Sequence, residues 1–455
     1  MHARAPGWLV ALNLAMLVIL SMLVARTWFW DQGLPREQLL ALRLVRQQIE
    51  EEYVTPPNGE DLAWSAIEGM VSSLDRHSQF IRPDFVEAFE EDTTGAYVGI
   101  GILMATDVAP VTVQFPFVGG PSERAGLRVG DQILAADGVP LVATAERSAN
   151  AVAHENLTGP TGTKVVLKVQ RAEAAPFEVV VERGRVQTPS VKWARLLAPQ
   201  HGVGYLYLSS FQQRSAAEIR DAVADLRAQA DNDLRALVVD LRYNLGGLLE
   251  QAVDVSNLFQ AQGAIVSLKR RNAEVERRDA DPERCAFPDL PLVLLVNEDS
   301  ASASEVFAGA MQDHERAVLV GTRTFGKGLV QSIYRWEELS FRLKLTTAHY
   351  YTPSGRSIQR IGEPGHDGVR GGIEPDRVVR LDNKKERSDL KSLLQRGQDV
   401  PRRYSAEVKE LSQRLDLTMT RPPGPESDAQ LAAALEEALR QIGVAVEPPS
   451  SGGGG

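Results

Sequence analysis

Asn297 to Gln331 reads NEDSASASEVFAGAMQDHERAVLVGTRTFGKGLVQ and follows directly on the apolar run Leu290-Pro291-Leu292-Val293-Leu294-Leu295-Val296. The apolar run predicts a buried strand that ends in a polar turn dense in Ser and Ala. From about Ser302 to Gln312 the pattern turns helical, with Val306, Phe307, Ala310 and Met311 on one face. A strand-to-helix corner of this kind presents small hydroxyl side chains clear of the sheet, where first-turn amide N–H groups can point at a substrate oxygen. Ala317-Val318-Leu319-Val320 predicts the next strand, and it leads into Gly321-Thr322-Arg323-Thr324-Phe325-Gly326-Lys327-Gly328. A lysine held between two glycines and entering an apolar segment is a candidate for desolvation, which favours the neutral amine and suits it to a base role. Residue types alone leave Ser300, Ser302 and Ser304 equally open as nucleophiles.

The SASASE and TFGKG strings resemble the active-site core of the C-terminal processing peptidases, also called tail-specific proteases. The resemblance implies Ser302 as nucleophile, Lys327 (twenty-five residues later) as general base, and Gln331 as the residue that orients the lysine. Only the family offset to Lys327 selects the middle serine. Asp299 departs from the family, which commonly has glycine or another residue there, and its charge stands to alter the nucleophile loop.

The chain has 455 residues, enough for two or three domains with sizeable cores. Its Lys+Arg 50 against Asp+Glu 60 gives a formal charge of -10 and argues against a nucleic-acid partner. The single cysteine, Cys285, excludes an intramolecular disulfide and reads as a free loop thiol. No metal-ligand set and no cofactor motif is present.

Residues 8–25 are uncharged and apolar, bounded by Arg4 and Arg26, with Trp28, Phe29 and Trp30 beyond. The length is near the minimum for a membrane span, and the end of the run lacks a clean small-x-small cleavage site. An uncleaved anchor is preferred to a cleaved signal peptide, and residues 1–30 are assigned to this segment. Residues 31–93 read as a helical region, in which His77 beside Asp75 is a turn rather than an acid–base pair.

Residues 94–184 carry several short strands, the helical turn Pro121 to Leu127 and the string AGLRVGDQILAADG. This unit resembles a PDZ domain. Such domains add an extended C-terminal peptide to a sheet edge and hold its carboxylate with backbone amides. The candidate carboxylate loop is Tyr97, Val98, Gly99, Ile100 and Gly101.

From Val203 strands and helices alternate, as in crossover packing on a partly parallel sheet. The strand ending at Leu241 runs into Arg242-Tyr243-Asn244-Leu245-Gly246-Gly247, similar to the family's DLRxNPGG with Leu245 in place of proline. The resemblance implies an oxyanion hole made by the Gly246 and Ala303 amides. A phosphate loop is excluded because the Walker spacing is absent. His314 and His349 read as peripheral. The reading as an unrelated exported Ser–His hydrolase fails for want of a G-x-S-x-G elbow and a suitable histidine.

The expected fold is therefore a mixed α/β protease core (185–380) with an inserted PDZ domain, an N-terminal helical segment and a C-terminal helical extension (381–455). The last ends in the amphipathic helix Asp428 to Ile442 and a Gly-rich tail expected to be disordered. The resemblance implies a serine endopeptidase that takes protein or peptide tails as substrates, on the periplasmic side of the bacterial inner membrane. A homo-oligomer and an activating partner protein remain open. The rival reading is a catalytically silent PDZ scaffold or chaperone, which has no need of Ser302, Lys327 and Gln331 together.

Overall fold

A computed structural model describes residues 16, 35–105, 109–144, 147–336, 338–361, 371–381, 383–415 and 424–445. Contacts divide the chain into two units, residues 1–80 and 81–455. The anchor-like run 8–25 lies outside the described residues except for Met16, as does the tail from 446. Among the described residues no helix is long and apolar enough to cross a membrane.

The smaller unit contains α1 (Arg36–Glu52) and α2 (Gly59–Ser72). The Asn58 side chain accepts from Glu60 N–H and caps α2. One Asp75 carboxylate oxygen accepts the His77 and Ser78 amides at 2.7 and 2.8 Å, the local turn expected of that pair.

The larger unit opens with α3 (Pro83–Thr94), which stops at Gly95 in the left-handed conformation, φ 68°. The next strand, β1 (Ala96–Gly99), pairs antiparallel with β7 (Gly184–Gln187), so the chain leaves and returns through one two-stranded stem. Between them an antiparallel sheet runs in chain order through β2 (Ile102–Met104), β3 (Val111–Pro116), β4 (Gln132–Ala136), β5 (Lys164–Gln170) and β6 (Phe177–Glu182). The short turn α4 (Pro121–Arg124) and the helix α5 (Ala149–Leu157) complete this subdomain. Strand β5 alternates exposed and buried residues, and Val165, Leu167 and Val169 join Ile133, Val152 and Val181 in a separate core.

The protease core is a six-stranded sheet of strand order β8 (Val191–Ala198), β9 (Val203–Leu208), β10 (Ala236–Asp240), β13 (Leu292–Val296), β14 (Ala317–Gly321), β17 (Arg377–Val378). Only the β8–β9 pair is antiparallel. All five residues of β13 are buried because both sheet faces are covered, which is why the strand reads as an unbroken apolar run. On one face Leu292, Leu294 and Val296 pack with Ile219 of α6 (Ser215–Gln229), Phe259 of α7 (Leu249–Phe259) and Phe307 of α8 (Ala303–Asp313). On the other, Val293 and Leu295 pack with Leu390 and Leu394 of α9 (Lys384–Arg396) and Leu431, Ala434 and Ala438 of α11 (Ala429–Gln441). Each of the Val, Leu, Ile and Phe side chains contributes about 1.5–3 kcal/mol by leaving water. The remaining helix, α10 (Ser405–Arg414), buries Val408 and Leu411.

A second sheet runs beside this core: β16 (Arg342–Tyr351) pairs antiparallel with β11 (Ala264–Arg270) and β15 (Leu329–Arg335), and β11 pairs with β12 (Glu276–Asp279).

Candidate active site

The carboxyl ends of β10 and β13 are neighbours in the core sheet, so the turns that leave them meet. From β10 comes Leu241 to Leu248, and from β13 comes Asn297 to Ser302. Asn297 Oδ1 accepts the Tyr243 amide at 2.9 Å, and Ala301 N–H donates to Asn244 O at 3.0 Å. Two of the three serines at this corner, Ser300 and Ser304, are used up in the same seam. Ser300 Oγ donates to Leu241 O at 2.8 Å and Ser304 Oγ donates to Asn244 O at 2.9 Å, and both residues are fully buried.

Ser302 is different. It is the N-cap of α8, held at φ 57°, and it is part-exposed on the wall of a cleft of about 520 Å3. A positive φ is costly for a residue with a Cβ, and such strain persists only where neighbours over-determine it. One of those neighbours is Gly246, φ 104°, where a Cβ would lie 2.9 Å from Ser302 Cβ and 2.7 Å from Ala301 O. Only glycine fits there.

Lys327 and Gln331 line the same cleft, as do Gly246, Gly247 and Ala303. Ser302, Lys327 and Gln331, separated in sequence, thus share one cavity. Gln331 Nε2 lies 3.4 Å from Thr346 Oγ1. No histidine is among the lining residues. His314 Nε2 bonds Ala264 O at 2.7 Å, and His349 is exposed on β16. Cys285 lies outside the cleft, its thiol pushed up chiefly by burial. Among the described residues no group of three His, Cys, Asp or Glu side chains is placed to hold a metal.

The residue that sequence reasoning missed is Glu305. It is fully buried and accepts four hydrogen bonds: Oε1 from Thr324 Oγ1 at 2.6 Å and Gly326 N at 2.7 Å, Oε2 from Lys327 N at 2.8 Å and Ser302 N at 2.9 Å. One carboxylate therefore joins the backbone of the serine turn to that of the lysine turn. Burial pushes its pKa up, and the four donors oppose that rise. Tyr350 makes a second link, its hydroxyl bonding Ser302 O at 2.9 Å and also reaching Lys327 O. The signal in the sequence was S-x-x-E at the start of a helix, a capping-box spacing.

The backbone groups of the two other candidate sites have local partners. The Gly246 amide donates to Asn244 Oδ1 at 2.9 Å, so it is engaged within its own turn. The amides of Gly247 and Ala303 have no acceptor among the described residues. In the carboxylate-loop candidate, Tyr97, Val98 and Gly99 belong to β1 and pair with Val186, Arg185 and Gly184. Only Ile100 and Gly101 form the turn, with Ile100 O accepting Ser122 N–H at 2.8 Å and Gly101 O accepting Phe117 N–H at 3.0 Å. Asp299 has a local partner: its carboxylate pairs with Lys391 Nζ of α9 at 2.8 Å.

A parallel-sheet core with a strained serine at a strand-to-helix corner, a lysine in the same cleft and an inserted antiparallel subdomain defines a PDZ-bearing α/β peptidase. Comparison with known proteins agrees. The chain matches the peptidase family S41 over residues 202–379 and the PDZ domain over residues 118–171. The carboxy-terminal-processing protease of Bartonella bacilliformis is 35% identical over 346 residues, covering 75% of this chain and 75% of that protein. The carboxyl-terminal-processing protease of Synechocystis sp. is 35% identical over 340 residues, covering 73% of this chain and 74% of that protein. A solved photosystem II D1 C-terminal processing protease is 27% identical, covers 76% of this chain and 94% of its own, and superposes with a TM-score of 0.41. The chain belongs to peptidase family S41, the carboxy-terminal-processing serine proteases.

Proposed function

We propose that this protein cleaves exported proteins near their C-termini through an acyl-enzyme formed on Ser302, with Lys327 as the base. The single observation that carries this is the cleft shared by Ser302 and Lys327, whose backbones are joined through Glu305. The neutral Lys327 amine takes the Ser302 proton as Oγ attacks the scissile carbonyl. The resulting ammonium gives that proton to the leaving amine, and water repeats the cycle to release the acyl group. Gln331, with Nε2 on Thr346 Oγ1, keeps its Oε1 for orienting the lysine. The oxyanion is assigned to the Ala303 amide and the Gly246–Gly247 turn. There the Gly247 N–H is open, whereas the Gly246 N–H would first have to leave Asn244 Oδ1.

The PDZ domain is read as the receptor for substrate tails or the gate on activity. The apolar run 8–25 is read as an inner-membrane anchor that places the catalytic unit in the periplasm.

The test is cleavage of an unfolded reporter protein by the chain, by Ser302→Ala and by Lys327→Ala, across pH 6–11. Both substitutions are expected to abolish cutting. The native rate should rise on the alkaline side of neutrality, because lysine's reference pKa is about 10.4 and a lowering of roughly three units leaves it at about 7.4, above histidine's. Equal cutting by all three forms would sink the assignment, as would a rise centred near pH 6.5, the approximate histidine value.

A further inference from the structure

The cleft wall carries two charged side chains, Lys327 and Lys344, and no carboxylate. That is unusual in a chain with a formal charge of -10. Lys327 is accounted for as the base. Lys344 is not. It sits on β16, is half-buried, and has no hydrogen-bond or ion-pair partner among the described residues.

Its position follows from the strand register. Across β15 and β16, Gln331 lies opposite Thr346, Ile333 opposite Lys344, and Arg335 opposite Arg342. Side chains two apart on a strand share a face and stand about 7 Å from each other. The three pairs therefore form successive rungs leading away from the catalytic end of the cleft. The inner two rungs supply Gln331, Ile333 and Lys344 to the cleft wall, and the outermost supplies Arg335 and Arg342 to the adjoining cavity of about 970 Å3.

The outer rung already has a carboxylate. Glu90 Oε1 of α3 meets Arg342 at 2.9 Å and Arg335 at 3.9 Å. One rung inward, Lys344 stands opposite Ile333 in the strand register and lines the cleft. Partial burial weakens the hydration of a cation, and its compensation is an anion at hydrogen-bonding distance. A surface lysine that merely snorkels to water would be more exposed and would not border the reaction cavity.

We propose that Lys344 is a specificity-determining residue that binds a carboxylate of the peptide substrate, roughly two extended residues beyond the position of Gln331. The carboxylate is the free terminus of the tail being removed or the side chain of an Asp or Glu near it. This inference rests on the reading of the cleft as the peptide-cleaving site. A lysine–carboxylate contact of this kind is expected to contribute roughly tenfold in kcat/KM.

The experiment compares three peptides of one sequence cut by the full chain: a free C-terminal acid, its amide, and an amide with Asp at the last position. Peptides with one to six residues after the scissile bond are used. The native protein is expected to favour the acid over the plain amide by about tenfold at one tail length, mainly through KM. Lys344→Gln should bring the two peptides to the same kcat/KM, while Lys344→Arg keeps the preference. The Asp-amide identifies which carboxylate is read. The PDZ domain has its own interest in free carboxylates, so loss of preference in Lys344→Gln is the decisive comparison. Binding of the same labelled peptides to Ser302→Ala, with and without Lys344→Gln, reads recognition without turnover.

An equal loss on acid and amide would overturn the proposal and leave Lys344 a structural residue. A displaced pH–rate profile in Lys344→Gln would overturn it in favour of an action on Lys327. Failure of Ser302→Ala to distinguish acid from amide would also overturn it. If the native and Ser302→Ala forms cut alike, the Ser–Lys reading itself has failed, which is a separate result.

Discussion

Ser300, Ser302 and Ser304 have the same side chain and lie within one turn, yet only Ser302 presents its hydroxyl to the cleft. The other two are consumed by Leu241 O and Asn244 O, acceptors some sixty positions earlier in the chain. No local rule in the sequence separates the three, because the acceptors arrive through the pairing of β10 with β13. Glu305 shows the same limit from the other side. Its spacing from Ser302 spelled a helix cap, and Oε2 does accept the Ser302 N–H, but Oε1 and the rest of its capacity go to Thr324, Gly326 and Lys327. Glu305→Gln would turn two acceptors into one and aim an NH2 group at backbone donors. Leaving a buried donor unsatisfied costs about 1–3 kcal/mol. We expect Glu305→Gln to lower the urea midpoint accordingly and to cut kcat at least tenfold with little change in KM, since the two turns lose their common acceptor. Unchanged kcat with lowered stability would confine Glu305 to a structural role.

At the scale of elements, the apolar strand β13, the alternation in β5 and the final amphipathic helix were all legible, because burial on two faces, one face or one stripe leaves periods that can be read directly. What α11 packs on was not legible. Its N-cap Asp428 binds Arg242 at 2.9 and 2.7 Å, and Arg242 also binds Asp240 at the end of β10. All three side chains are buried. The helix that ends the described chain thus holds the root of the loop carrying Gly246 and Gly247. Removing Asp428 leaves Arg242 paired with Asp240 but takes an acceptor from two buried guanidinium N–H groups and the cap from the helix, a loss of about 1–3 kcal/mol. Asp428→Ala should therefore destabilise the protein by that amount in equilibrium unfolding and reduce peptidase activity even at temperatures where it stays folded. A loss below about 1 kcal/mol would show that Arg242 is satisfied by Asp240 alone.

Across the whole larger unit, residues 397–414 run from the protease core to the PDZ subdomain. Asp399 N–H donates to Lys192 O at 2.7 Å, and Ala194 N–H donates to Asp399 Oδ2 at 2.5 Å, on edge strand β8. Farther on, Tyr404 Oη bonds Glu123 Oε1 at 2.5 Å, Arg403 pairs with the same carboxylate at 3.0 Å, and the Tyr404 ring stacks on Phe115. This strap should carry a pH signature. Burial pushes the Asp399 carboxyl up to about 6, against the opposing Ala194 N–H. Its native pKa lies above the reference of about 3.9, so the native state binds this proton more tightly than the unfolded chain. Its contribution is full below pH ~4, declines as pH rises toward about 6, and is flat above that. Asp399→Asn should remove up to about 2 kcal/mol of that decline, measured as unfolding free energy at pH 4 and pH 7. An unchanged slope would assign the decline elsewhere. The sequence by itself indicated the alternating strands and helices that open the core from Val203, the PDZ-like insertion and the two turns that carry the candidate serine and lysine, since periodicity and local strings encode them. The tertiary structure alone decided which serine stays free, that Glu305 and Tyr350 hold the two turns together, and that Asp428 and Asp399 return from the C-terminal region to support the core. Those contacts join residues far apart in the chain, and no local pattern carries a long-range partner.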